Sequence, residues 1–222
     1  MAAALLSSFV AHAANEAATV FLPPLDANAV DPIILAQQQV NQLSSYQLRL
    51  HSQSPKGGNT LLTYSYRKPG YVRMDFSDPH HGAVLIYAPD SDRARVWPFG
   101  LGTLPVVSLS PDNALIQDPN GHRVDQSDIG TFLQTLRGLQ QNGKTTVVGK
   151  EILSGQPVLH VSVIGSAGIM VSQVHRFDVW LESRHAFPVK IISYGANGQL
   201  IETVVMDAIV YNMQFPADFF TP

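Results

Sequence analysis

The sequence predicts an α+β fold. The expected architecture is a strongly curved antiparallel sheet, an incomplete β-barrel of about ten or eleven strands, covered on its concave side by two or more helices. Three observations predict it. Val174–Phe215 reads as three strands joined by short turns, as an antiparallel meander does. Two segments, Pro32–Leu43 and Ser127–Gln141, repeat their apolar residues at helical spacing instead. The remaining runs are short, strand-like and separated by Gly, Pro, Asp and Asn. A long meander twists and curls, and an apolar face needs a cover.

In chain order, Ala2–Val10 is a short apolar run followed by Ala11-His12-Ala13, a small-residue cleavage pattern. Residues 1–13 are therefore expected to be a signal peptide, an imperfect one because no Lys or Arg precedes the run. Residues 14–31, with Pro23-Pro24, read as an N-terminal arm, and residues 32–222 as a single domain. Asp31-Pro32 supplies an N-cap and a proline at the first helical position. Ile33, Ala36, Val40 and Leu43 follow on one helix face.

Tyr46–Leu50 alternates Tyr46, Leu48 and Leu50 against Gln47 and Arg49. Leu61–Arg67 places Leu62, Tyr64 and Tyr66 on one face, and Tyr71–Phe76 places Val72, Met74 and Phe76 there. Lys68-Pro69-Gly70 turns the chain between them. Ala83–Ala88 is apolar on both faces, as a central strand is. Arg93–Trp97 follows. Pro98–Arg123 carries Phe99, Leu101, Leu104, Val106, Val107, Leu109, Leu115 and Ile116 without alternation, and reads as a lid or a pair of short helices. Asp125 or Ser127 can cap the second helix, whose stripe is Ile129, Phe132, Leu133, Leu136 and Leu139; Gly143 ends it. Thr145–Val148 and Val158–Ile164 are strands.

In the closing meander, His175, Phe177, Val179 and Leu181 face one way, and Arg176, Asp178, Trp180 and Glu182 the other. Gly195-Ala196-Asn197-Gly198 closes a hairpin. In Gln199–Tyr211, strict alternation places Val204, Met206, Ala208 and Val210 on one face, and Ile201, Thr203, Val205, Asp207 and Ile209 on the other.

Composition narrows the function. Apolar residues make up 45% of the 222, which suits a globular core. A net charge of −3 with scattered charges argues against nucleic acid, which needs a clustered basic surface. There is no cysteine, hence no disulfide. Gly165-Ser166-Ala167-Gly168 lacks nucleophile-elbow spacing, and no phosphate-cradling glycine motif occurs. Asp75, Asp78, His80 and His81 are the nearest match to a metal site, but read better as a solvated loop, so no metal and no cofactor is expected. A hydrolase would depend on Asp78, His80 or His81; the expectation is that the protein is not an enzyme. His160 and His175 fall within strand patterns.

Tyr66-Arg67-Lys68-Pro69-Gly70-Tyr71-Val72-Arg73, Ala83–Tyr87 through Val96-Trp97-Pro98, Phe177–Leu181, Phe187-Pro188-Val189-Lys190, Gly198-Gln199-Leu200, and Asn212 to Phe215-Pro216 with Phe219 occur in a telling order. Together they resemble the periplasmic lipoprotein carrier superfamily, LolA/LolB-like, in a divergent form, from about Pro32 onward. The resemblance implies an eleven-stranded curved sheet enclosing a hydrophobic cavity that shields acyl chains. It also implies a lid latch at the basic residue before the proline, here Lys68 with Arg67 before it. Lys lacks the planar fork of the Arg that the family uses.

The expected function follows. The protein is an exported, soluble, periplasmic carrier-like protein that binds lipid acyl chains or lipoproteins. By strand alternation, Leu48, Tyr64, Tyr66, Met74, Phe76, Ile86, Phe177, Val179 and Leu181 line the cavity. The alternative is an envelope sensor or interaction module whose groove receives a protein partner.

Overall fold

The computed structural model describes residues 30–118 and 120–221. The expected signal peptide lies outside the described residues, as does all of the arm but Val30 and Asp31. No helix among the described residues is long and apolar enough to cross a membrane.

Among the described residues, two α-helices and eleven strands follow one another as α1 (Pro32–Gln42), β1 (Ser45–Ser54), β2 (Gly58–Arg67), β3 (Tyr71–Asp78), β4 (Val84–Ala88), β5 (Arg93–Trp97), β6 (Val107–Leu109), α2 (Ile129–Gln141), β7 (Lys144–Leu153), β8 (Gln156–Ile164), β9 (Arg176–Glu182), β10 (Pro188–Tyr194) and β11 (Leu200–Tyr211). All strands belong to one antiparallel sheet in the order β6-β5-β4-β3-β2-β1-β11-β10-β9-β8-β7. Each half is a simple meander, and β1 pairs with β11 to join them. The chain leaves one edge at β6, passes through α2 and re-enters at the other edge with β7. Both helices cover one face: their buried residues form a single apolar cluster with that face. The fold is thus the expected open, curved α+β sheet with a helical cover.

Alternation set the phase of most strands correctly, and three local features depart from it. Ala208 has a positive φ of 50°, and the β1–β11 register shifts between Gln47 and Arg49. Ala208 and Ile209 therefore oppose Leu48 alone, which is a β-bulge. Past the bulge Ile209 and Tyr211 pack against the core, while Ala208 and Val210 are exposed. Second, α2 is capped by Asp128, not by Asp125 or Ser127. Asp128 Oδ1 accepts from the Thr131 N–H at 3.1 Å, and Val124–Gln126 instead forms a short 3-10 helix. Third, Pro98–Arg123 contains the edge strand β6 and turns; among its described residues no α-helix forms.

The convex face is covered too. Phe215, Phe219 and Phe220 stack on one another and pack with Val84, Ile86 and Trp97. This tail is why β4 is buried along its whole length. Trp180 is likewise buried on that face with Val158 and Val189, so the opposite phase of β9 is not a solvent phase.

Candidate functional site

Cross-strand register makes the concave face a set of apolar rows. One row runs Leu48, Tyr64, Met74, Leu85, Val96 through direct partners. The next runs Tyr46, Tyr66, Val72, Tyr87, Ala94. On the other half, Val161, Val179, Ile191 and Val204 form a third row. Leu48, Tyr64, Tyr66, Met74, Phe76, Phe177, Val179 and Leu181 all belong to this face. Ile86 does not. It pairs with Arg73 and Arg95 and packs under the C-terminal phenylalanines on the convex side. Its strand is apolar on both faces, so alternation carried no phase there.

The rows meet the helices side chain to side chain. Ile33 and Ala36 of α1, and Leu133, Leu136 and Leu139 of α2, are fully buried against the sheet, as are Val179 and Leu181. The helices lie directly on these parts of the concave face, while Tyr66, Met74, Phe76 and Val96 stay partly exposed. A groove of about 550 Å³ lies between α1 and α2, lined by polar groups including Gln37, Asn41, Gln134 and Arg137.

Tyrosines of the sheet fix the start of α2. The Tyr46 hydroxyl accepts the Ile129 N–H at 3.0 Å, a buried bond that satisfies one of the free donors of the first turn. The Tyr64 hydroxyl lies 3.0 Å from Ser127 Oγ, which donates to the Val124 carbonyl. The Tyr46 ring stacks on Tyr66 at 5.0 Å and meets Phe187 edge-on. Burial holds the Tyr46 and Tyr64 phenols well above their usual range and pushes Tyr66 up to about 12, so all three are neutral donors or acceptors. Tyr46→Phe leaves the Ile129 N–H unpaired in an apolar site. It should cost about 1–3 kcal/mol in denaturant unfolding, against less than about 1 kcal/mol for Tyr66→Phe. Equal losses would show that the hydroxyl does not hold α2.

The two candidate latch residues separate. Lys68 Nζ donates to the Asn41 carbonyl at 2.5 Å, in the last turn of α1, where a cation complements the helix end. Arg67 turns outward and stacks over Tyr71 and Phe220 at 4.6 and 4.8 Å.

The histidines disperse. His80 and His81 stay in an exposed loop, and Asp75 is held by Arg73. His160 stacks on Trp180 and faces Glu151, and His175 faces the Ile169 carbonyl. Sequence reading missed one cluster. Asp118, His122 and Glu202 bring their ligand atoms within 4.8 Å of one another. Only the i, i+4 pair was local; Glu202 arrives from β11 by sheet register. Asp118 Oδ2 lies 2.6 Å from His122 Nδ1, and this bond raises the imidazole above its ordinary value. Burial raises the Glu202 carboxyl, which accepts from Ser52 Oγ at 2.5 Å.

No family model matches the chain, and no curated protein matches it in sequence. Solved structures do. An uncharacterised conserved protein from Thermus thermophilus superposes with TM-score 0.52 and 8% identity, over 85% of this chain and 91% of its own. MucB superposes with TM-score 0.52 and 17% identity, over 89% of this chain and 63% of its own, so this chain spans less than two thirds of that protein. The complex structure of Pseudomonas aeruginosa MucA/MucB matches with TM-score 0.50 and 16% identity, over 84% of this chain and 60% of that one. The eleven-stranded open sheet with helices on its concave side is the architecture that the carrier resemblance implied. That fold is shared with MucB. A LolA superfamily protein from Nitrosomonas europaea aligns over 87% of this chain and 99% of its own, with 12% identity and TM-score 0.36. At such identities the likeness is one of fold. Within that fold, the concave face is the surface around which a function can be built.

Proposed function

We propose that this chain is an exported envelope protein that binds lipid acyl chains or a lipidated protein, with α1 and α2 as a movable cover, and that it performs no chemistry on what it binds. The observation that supports this reading is the continuity of the apolar rows beneath a cover attached mainly by apolar contact. Side-chain hydrogen bonds between sheet and cover, such as those of Tyr46, Tyr64 and Lys68, lie at the ends of the helices or their caps. Apolar contact is non-directional, so an acyl chain can replace helix side chains without leaving buried polar groups unpaired. Each methylene buried contributes about 0.8 kcal/mol, so a long chain gathers roughly 10 kcal/mol against the displaced contacts.

A fluorescent fatty acyl probe should bind saturably at micromolar concentration and be displaced by unlabelled fatty acid, with the exposed Lys150→Glu variant unchanged. Native mass spectrometry of protein recovered from the cell envelope should show co-purified lipid and a mass lacking residues 1–13. Absence of saturable probe binding would sink the carrier reading, and an intact Met1 would sink export.

The close packing of both helices on the concave face favours a second reading, a sensor whose cover or rim engages a protein segment. MucB, which shares the fold, has been solved with MucA. On this reading the native protein carries no lipid, and the probe does not bind.

A further inference from the structure

We propose that Asp118, His122 and Glu202 form a binding site for a divalent cation of the zinc class, which clamps the segment between β6 and α2 to β11 at the rim of the concave face. Nothing in the acyl-binding reading requires this site, and it stands whether or not the concave face takes lipid.

The geometry is that of a site closed by small movements. His122 Nδ1 lies 2.6 Å from Asp118 Oδ2 and 3.9 Å from Glu202 Oε2. Ligand atoms around tetrahedral zinc, with bonds of about 2.0–2.1 Å, are about 3.3–3.4 Å apart. Opening the first separation and closing the second takes less than about 1 Å each. The His122 side chain is 47% exposed. A cation entering there displaces the proton that Nδ1 shares with Asp118 and leaves one on Nε2.

The two carboxylates are held in place. Asp118 Oδ1 accepts from the Asn120 and His122 N–H groups at 2.9 and 2.8 Å, which leaves Oδ2 for the imidazole. Glu202 is on the concave side of β11. Its direct partner is Ser193, which pairs in turn with Phe177, and Ser52 on β1 holds its other oxygen. It is only 8% exposed.

The composition of the cluster points to a cation. Among the described residues, the cluster brings two carboxylates to one imidazole. In the same turn, both side-chain polar atoms of Asn120 are buried without a partner among the described residues. The mixed nitrogen and oxygen donors suit zinc and its first-row neighbours rather than calcium or magnesium, which take oxygen.

The test is isothermal titration calorimetry of the full chain with Zn²⁺, beside Co²⁺ absorption spectra. Wild-type protein should bind one equivalent saturably. His122→Ala, at an exposed position that should not affect folding, and Glu202→Gln should each weaken binding at least about tenfold and remove the visible Co²⁺ bands. The double variant His80→Ala/His81→Ala should bind as the wild type does. Absence of saturable binding overturns the proposal. So does binding that survives His122→Ala, or that disappears with His80 and His81, since either places the cation on another surface. Circular dichroism of each variant keeps a loss of fold from being read as a loss of ligand.

Discussion

Phe177→Ala should lower the unfolding free energy by about 3–5 kcal/mol, the cost of removing a buried ring and leaving its cavity. Phe177 is 7% exposed and meets the Phe132 ring of α2 edge-on at 5.6 Å. Phe132→Ala measured in the same background gives the coupling of sheet to cover. A double-mutant cycle should return about 0.5–1.5 kcal/mol beyond the separate losses, the worth of an aromatic pair. A loss near 1 kcal/mol at Phe177 with no coupling would mean that α2 does not rest on the sheet in solution. Trp180→Ala, on the convex face, should also cost about 3–5 kcal/mol, because that ring is buried between His160 and Lys190 and donates to Glu151.

Val179→Glu should have the larger effect. Val179 has no exposed surface, and its row neighbours Val161 and Ile191 offer no donor. An unpaired buried carboxylate costs several kcal/mol, a large part of the 5–15 kcal/mol that typically holds a domain. The expected result is loss of the cooperative thermal transition at neutral pH. Burial raises the pKa of a carboxyl, so the folded state prefers it protonated. Stability should therefore be greatest in acid and fall as pH rises from the unfolded pKa of about 4.3 toward the raised folded value. A cooperative transition at neutral pH matching that of Lys150→Glu would show that the face assignment of β9 is wrong.

What the sequence revealed depended on whether a local rule carried phase. In β1, β2, β3 and β9 one residue in two is polar, and the concave side could be read directly. In β4 every residue is apolar, so Ile86 could be assigned only by seeing the phenylalanines that cover it about 130 residues later. In β11 a non-glycine residue at positive φ reverses the phase, and nothing in Asp207-Ala208-Ile209 announces it. Asp125, Ser127 and Asp128 are all good caps, and the choice fell to the register between Tyr46 and Ile129. Asp118, His122 and Glu202 meet only because β11 returns beside β1. Side chains of the helices pack on the concave face, and how much of it they cover depends on how deep they sit over it, which no periodicity encodes.

The pairing of β1 with β11 has a consequence for how this molecule is made. The strand that completes the middle of the sheet emerges long after its partner: Arg49 waits for Asp207. Until then the first six strands form a half-sheet whose inner edge is open, with α1 already beside it and α2 still to come. Such an edge is a template for any extended chain nearby. A folding rate set by so distant a contact falls in the slow range, milliseconds or longer. Any defect in β11 would therefore act as a split down the centre of the protein, not as damage to its margin.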